Sequence, residues 1–275
     1  MALVIQTNVS SLEAQRNLFK SQTALQSSFN KLSSGSRINT AKDDAAGLAI
    51  SESLKLQVKT LTINERNAGD AISMAQTAEG ALGELSNIIL RMRELATQGA
   101  NGSLQSSDRD FIQTEFNNLQ AETKRIMTST KFNGKQLITS SSRTEDYQIG
   151  IKNTSDDRIT ITFGGVKLQS LTAVARVSSG PGNARSALDT IDSALFKVSQ
   201  ARARFGAMMN RFETTTSNIQ SVRLNLASAN SRIRDVDVAE EAATQSKNQV
   251  LSQAGTSVLS QANQTPQAAM SLLKG

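Results

Sequence analysis

The side chains best suited to chemistry gather in KLSSGSRINTAKDDAAGLAIS, residues 31–51, where the adjacent acids Asp43 and Asp44 follow Arg37 and Lys42. Paired carboxylates beside cations are a pattern that serves divalent-metal or acid–base chemistry. The chain has no His and no Cys, which removes the commonest general base, the commonest metal ligand, thiolate nucleophiles and disulfides. What remains is carboxylate, Lys, Tyr or Ser/Thr chemistry and oxygen-only sites for Mg or Ca. Helical geometry argues against a shared metal, because consecutive residues on a helix point about 100° apart, whereas both acids suit the positive end of a helix. Thr40, with Asp43 three residues on, reads as a capping box that starts a helix, and Gly35 is placed to stop the preceding one in the left-handed conformation. The stretch is therefore expected to be a polar, hydrogen-bond-rich joint made by Gly35, Arg37, Asn39, Thr40, Asp43 and Asp44. No catalytic, metal or cofactor site is expected, and a metal-dependent enzyme using Asp43 and Asp44 is the remote alternative.

The elements around this joint are written in the composition and the hydrophobic period. A chain of 275 residues with no Trp, one Tyr and nine Phe lacks the material for a thick aromatic core and suits long helices packed through small residues. Two prolines, Pro181 and Pro266, leave helices uninterrupted almost everywhere else. From Leu54, steps of seven reach Leu61, Ala68, Ala75, Leu82, Ile89 and Ala96, with Ala71, Ala78, Leu85 and Met92 as the offset row and Gln57 and Asn64 as its polar interruptions. A second heptad runs through Ala184, Ile191, Val198, Phe205, Phe212, Ile219, Leu226 and Ile233, partnered by Ala187, Ala194, Ala201, Met208, Thr215, Val222 and Ala229. Each predicts a helix roughly 75 to 80 Å long, and the matching lengths make the two natural packing partners. Arg202, Arg204, Arg211, Glu213, Arg223 and Arg232 flank the second seam, at edge positions that select partner and register.

A shorter helix is expected from Ser107, with Asp108 and Asp110 in its first turn and a stripe of Ile112, Phe116, Leu119 and Ile126. Period-two alternation at Tyr147, Ile149 and Ile151, then Ile159, Ile161 and Phe163, predicts a hairpin over 147–163 with one buried face. SSGPGN at 178–183 is the clearest breaker and the expected return point. Residues 3–33 carry a weaker stripe, Leu18, Leu25, Phe29 and Leu32 with Leu12 and Phe19 alongside, and the tail carries Val250, Leu251, Val258 and Leu259. Such helices are marginal alone and need packing partners. If the long helices are antiparallel, both ends emerge together, able to pair with each other and with copies of themselves, as in a polymer building block.

The fold class expected is mainly α: an elongated rod of long antiparallel heptad helices with a small β-hairpin, plus paired terminal helices. Its domains would be 1–45 with 236–275 as a discontinuous terminal coiled coil, and 46–235 as the rod. Neither a cleavable secretory signal nor a membrane span is visible. The net charge of +6 comes from basic residues scattered among acids without stacking aromatics, which argues against nucleic acid as a partner.

Longer stretches carry a family resemblance. LSSGSRINTAKDDAAGLAIS, ILRMRELATQGAN, KFNGKQLI and, at the other end, ANQTPQAAMSLLKG resemble the signatures of bacterial flagellin at the expected distances from both termini. The resemblance spans residues 1–140 and 186–275, and departs from the family at Ser36, where many relatives carry a larger apolar residue, and in a short middle without large variable outer domains. It implies a minimal filament subunit serving motility. Terminal helices would line the inner tube and the rod the outer tube, and no cofactor would be needed. Partners implied are copies of itself, a cytoplasmic export chaperone on the C-terminal segment, the flagellar type III export apparatus, and the cap and hook-associated proteins. The implied place is the extracellular filament, after a transient cytoplasmic stage. A hook–filament junction protein shares the terminal logic and is the nearer alternative. The resemblance also marks Arg91, Leu95 and Glu115, read as one exposed face, as a subunit contact or Toll-like receptor patch. It marks Met270, Leu272 and Leu273, beyond a break at Thr265-Pro266, as inner-tube packing and as the region met by a cytosolic flagellin sensor.

Overall fold

The computed structural model describes residues 7–166, 168, 171 and 177–274, with 265–274 described by backbone alone. Five α-helices occur among the described residues: α1 (Val9–Ser34), α2 (Ala45–Gly99), α3 (Ser106–Ser129), α4 (Pro181–Arg234) and α5 (Val238–Lys274). Four short strands among the described residues make two antiparallel pairs, β1 (Lys131–Phe132) with β2 (Lys135–Gln136), and β3 (Ser142–Gln148) with β4 (Arg158–Gly164). The chain divides into two compact units, one of residues 59–223 and one of residues 1–58 with 224–275. These boundaries fall inside α2 and α4, so the first turns of one helix and the last turns of the other belong with the chain ends.

In the 59–223 unit, the α2 heptad is realised as a buried row: Leu61, Ala68, Ala75, Leu82, Ile89 and Ala96, with Ala71, Ala78, Leu85 and Met92, are all core residues. The α4 row is buried from Ala184 to Ile219. Ion pairs record the antiparallel register, Arg93 with Asp192, Arg202 with Glu79 and Arg223 with Glu65. Two of the edge arginines thus cross between helices; exposed pairs of this kind contribute about 0–1 kcal/mol each and act mainly on register. Pro181 opens α4 directly after Gly180 (φ 129°), as expected of a proline at the first helical position.

The third helix begins slightly earlier than Ser107, and Asp108 reaches back to accept from the Gln105 amide at 3.3 Å. Its stripe is buried at Ile112 and Phe116 in the same core cluster as Leu95. The larger hairpin also differs from its expected span. β3 starts at Ser142 and ends at Gln148, pairing Tyr147 with Ile159, Glu145 with Ile161 and Arg143 with Phe163, so Ile149 and Ile151 lie beyond the ladder. Pairing is decided by the β4 partner, whose Ile159, Ile161 and Phe163 face the core, and not by the apolar alternation of β3 alone. The hairpin docks on both long helices: Tyr147 stands edge-on to Phe212 with centroids 5.8 Å apart, its hydroxyl lies 2.9 Å from Met74 Sδ, and Phe163 meets Phe205. Asn64, a polar interruption of the α2 seam, is buried because its Nδ2 donates to the Gly150 carbonyl, while Asn67 donates to that of Gln148. Asn133 (φ 47°) and Gly134 (φ 75°) form the two-residue turn of the β1–β2 pair, the Asn-Gly signal that left-handed hairpin turns require.

Candidate functional site

The paired chain ends are built from helices that are individually too weak to stand. α1 and α5 run antiparallel: Lys31 pairs with Glu241 at one end of the contact, and Asn8 and Ser11 meet Ala262 and Asn263 at the other. The buried positions of α1 are the small residues Ser11, Ala14 and Ser28, interleaved with half-buried Leu18, Leu25 and Leu32. Small residues let the backbones approach: a Cβ on Gly255 would lie 3.2 Å from Leu18 Cδ1. On α5, Leu259 is half-buried in this seam.

Other apolar side chains, both phenylalanines of α1 among them, point away from it. Phe19 is 70% exposed, Phe29 53% and Val258 55%, and Leu12, Val250 and Leu251 are exposed as well. Phe29 therefore stands off the seam that Leu18, Leu25 and Leu32 share, because the seven-residue row, not the broader stripe, meets α5. Solvated apolar side chains recur along this pair, as they do on α2 and α4 at Ile50, Leu56, Phe196 and Leu224, and such surfaces mark interaction sites. The backbone of α5 continues through Pro266 without the expected break, and Met270, Leu272 and Leu273 lie outside the residues whose side chains are described.

The joint is a two-stranded clasp. Gly35 ends α1 with φ 68°, the left-handed cap its sequence position predicts. The linkers on either side then pair: Ser36 bridges Asp235, the Arg37 amide donates to the Arg234 carbonyl, and the Val236 amide donates to that of Gly35. Arg37 Nη2 donates to the Ile233 carbonyl at 2.9 Å, satisfying the last turn of α4, and Asn39 Nδ2 does the same for Asn30 of α1. Ile38 is buried within the clasp and anchors it, a residue marked in the sequence only as an apolar side chain isolated between polar ones.

Asp43 and Asp44 have separate tasks. Asp43 Oδ2 accepts from the Asn39 amide at 3.1 Å, the Thr40 amide at 2.9 Å and the Thr40 hydroxyl at 3.1 Å, closing a turn before the helix. Asp44 Oδ1 accepts from the Gly47 amide at 2.9 Å and is the true N-cap of α2. The expected Thr40–Asp43 capping box is thus corrected: α2 starts at Ala45, one residue after Asp44, and Thr40 with Asp43 belongs to the preceding turn. A Cβ at Gly47 would lie 2.3 Å from Asp44 Oδ2 and 2.8 Å from Ile38 Cδ1, so a larger residue there must displace the capping carboxylate. Both carboxylates are committed to backbone donors, and among the described residues no three potential ligands converge as a metal set.

The Thr40 amide, then the Asn39 amide and the Thr40 hydroxyl, hold the Asp43 carboxyl below the usual carboxylate range. A depressed value contributes stability above the unfolded pKa, lost as pH falls through the folded one. The turn is expected to survive acidification to about pH 4 and to open below it. Amide exchange of Asn39 and Thr40 across that range reads this directly; full protection at low pH, or a transition near neutrality, would contradict it.

The expected exposed face on α2 and α3 is only partly present. Arg91 and Glu115 are exposed and paired at 2.8 Å, with Glu94 also on Arg91. Leu95, by contrast, is 2% exposed. It belongs to the same buried core as Ile112 and Phe116 of α3, the helix whose Glu115 pairs with Arg91 one turn before Leu95.

Paired ends that leave large apolar side chains in solvent, joined by a hydrogen-bonded clasp to long heptad helices, define a self-assembling helical structural subunit. The bacterial flagellin N-terminal helical region matches residues 5–143, and the C-terminal helical region matches residues 188–273. Flagellin of Halalkalibacterium halodurans is 42% identical over 274 residues, covering 99% of this chain and 100% of the relative. The flagellar filament 33 kDa core protein of Treponema phagedenis is 38% identical over 289 residues, with 99% and 100% covered. The crystal structure of Bacillus cereus flagellin superposes with a TM-score of 0.51 at 31% identity, covering 60% of this chain and 94% of that one. The chain belongs to the bacterial flagellin family, whose members are structural proteins, and is a subunit of the flagellar filament, exposed outside the cell. Among the described residues no helix is long and apolar enough to cross a membrane.

Proposed function

We propose that the chain polymerises through the outward side chains of its paired terminal helices, with Leu12, Phe19, Phe29, Val250, Leu251 and Val258 packing against neighbouring copies while Leu18, Leu25, Leu32 and Leu259 hold the pair together. The carrying observation is that both phenylalanines of α1, with Leu12, Val250, Leu251 and Val258, are exposed although a seam lies beside them. Met270, Leu272 and Leu273 extend this inner packing on the reading from resemblance. The clasp at Gly35, Arg37 and Asn39 transmits load between the ends and the long helices, and the exposed Arg91–Glu115 pair serves as a contact along the polymer. Placing a charge at Val258 tests this, since burying an unpaired carboxylate is costly. With Val258→Glu, elongation from sheared filament seeds is expected to fall at least about tenfold, a penalty of about 1.4 kcal/mol or more per added subunit, while circular dichroism of the chain stays unchanged. Unaltered elongation would remove Val258 from the interface.

The same exposed residues on α5 support a cytoplasmic chaperone that covers them before export through the type III apparatus, with cap and hook-associated proteins guiding insertion. Arg91 and Glu115 remain available to a Toll-like receptor on the free subunit, with Leu95 acting only from beneath. A cytosolic sensor would read the C-terminal segment around Met270, Leu272 and Leu273.

A further inference from the structure

Asn8 uses both ends of its carboxamide. Its Oδ1 accepts from the Ser11 amide at 3.1 Å, capping α1, and its Nδ2 donates to the Ala262 carbonyl of α5 at 2.9 Å. Ala262 stands four residues before Pro266. In an α-helix each carbonyl is taken by the N–H four residues on, and proline has none, so the Ala262 carbonyl lacks its regular donor. Beside it, Ser11 Oγ donates to Asn263 Oδ1 at 2.7 Å.

We infer that Asn8 is a positioning residue that sets the register of α1 against α5 by supplying the donor that Pro266 withholds. The clasp ties the pair at one end, where the Val236 amide donates to Gly35 and Lys31 pairs with Glu241, and Asn8 is a second tie at the opposite end. Leu18, Leu25 and Leu32 recur every seven residues, and Asn248, Gly255 and Ala262 recur at the same spacing on α5, so a seven-residue slip keeps leucines in the seam and changes apolar contact little. A slip that brings Asn8 to Gly255 meets a carbonyl already served by the Leu259 amide, and it strips the donor from Ala262. One polar match at the far end of a repetitive seam thereby adds to the clasp in selecting the native register, as a single Asn does in other coiled coils. The inference rests on the paired ends being the assembled form.

The chain contains no Cys, so introduced cysteines report the register cleanly. Leu18 faces Gly255; three residues along each antiparallel helix, Ser21→Cys with Ser252→Cys reports the native register and Ser21→Cys with Gln245→Cys a seven-residue slip. Filaments of the full chain are oxidised and the two products compared in four backgrounds: otherwise unaltered, Asn8→Ser, Pro266→Ala and the double variant. Serine keeps the cap acceptor and is too short to reach Ala262; Asn8→Asp, which keeps the cap and lacks the donor, runs in parallel. Either Asn8 variant is expected to lower the native-to-slipped ratio about fivefold, the effect of one hydrogen bond. Pro266→Ala gives the Ala262 carbonyl a helix amide in either register, so it is expected to lower the ratio about as far by itself and to leave no further loss for Asn8→Ser in the double variant. No loss in Asn8→Ser, or an equal loss with and without Pro266, overturns the inference. Absence of filaments from the unaltered chain would count instead against polymerisation through these ends.

Discussion

A chain lacking residues 236–275 is expected to remain helical and soluble and to form no filaments, with or without seeds, by electron microscopy. The deletion removes α5, the partner of α1, together with the Val236 amide that donates to the Gly35 carbonyl in the clasp. α1 has 26 residues and a seam of Ser, Ala and half-buried Leu, so without α5 its stability falls to that of an isolated helix, which is marginal in water. The 59–223 unit keeps its own core from Leu61 through Ile219 and is expected to retain its unfolding transition. Sedimentation velocity and circular dichroism check the monomer, and micrographs check the polymer. Filaments from the truncated chain would mean that the ends decorate an assembly made by the long helices, and the proposed division of labour would be wrong.

The second large effect is expected from Phe212→Ala, which should lower the unfolding free energy of the 59–223 unit by about 3–5 kcal/mol. Phe212 is fully buried, and it carries the edge-on contact with Tyr147 that fastens the hairpin to α4. Truncation loses the transfer energy of the ring, leaves a cavity, and removes the partner of the Tyr147 ring. For a unit of this size the midpoint of thermal unfolding should drop by about 10 °C. Phe196→Ala, at an exposed site on the same helix, is the control and should fall within about 0.5 kcal/mol of the parent. A loss below about 1 kcal/mol at Phe212 would show that the hairpin and α4 repack around the gap.

Most of the helical skeleton was legible because a heptad is a strong signal: rows spaced by seven from Leu61 to Ala96 and from Ala184 to Ile219 became buried rows. The hairpin was legible as an element but not in its limits, because pairing with β4 overrode the alternation around Tyr147. In the joint, the left-handed cap at Gly35 followed from chain chemistry, whereas the choice of Asp44 over Thr40 as the cap of α2 depended on where Gly47 and Ile38 sit.

The sequence by itself determined what local period and residue chemistry can dictate: the long helices, the breaker before Pro181, the chemistry excluded by the lack of His and Cys, and the family signatures at both ends. Only the tertiary structure decided which face each residue shows when an element has more than one partner. Leu95 lies off the α2 heptad, where a single packing partner would leave it exposed, yet it is buried in the core that also holds Ile112 and Phe116 of α3. Asn8 and Ala262 were unremarkable 254 positions apart until the antiparallel pairing brought a free donor to a carbonyl that proline leaves unserved. A contact between distant positions carries no period along the chain, and so it is decided only when the helices pack.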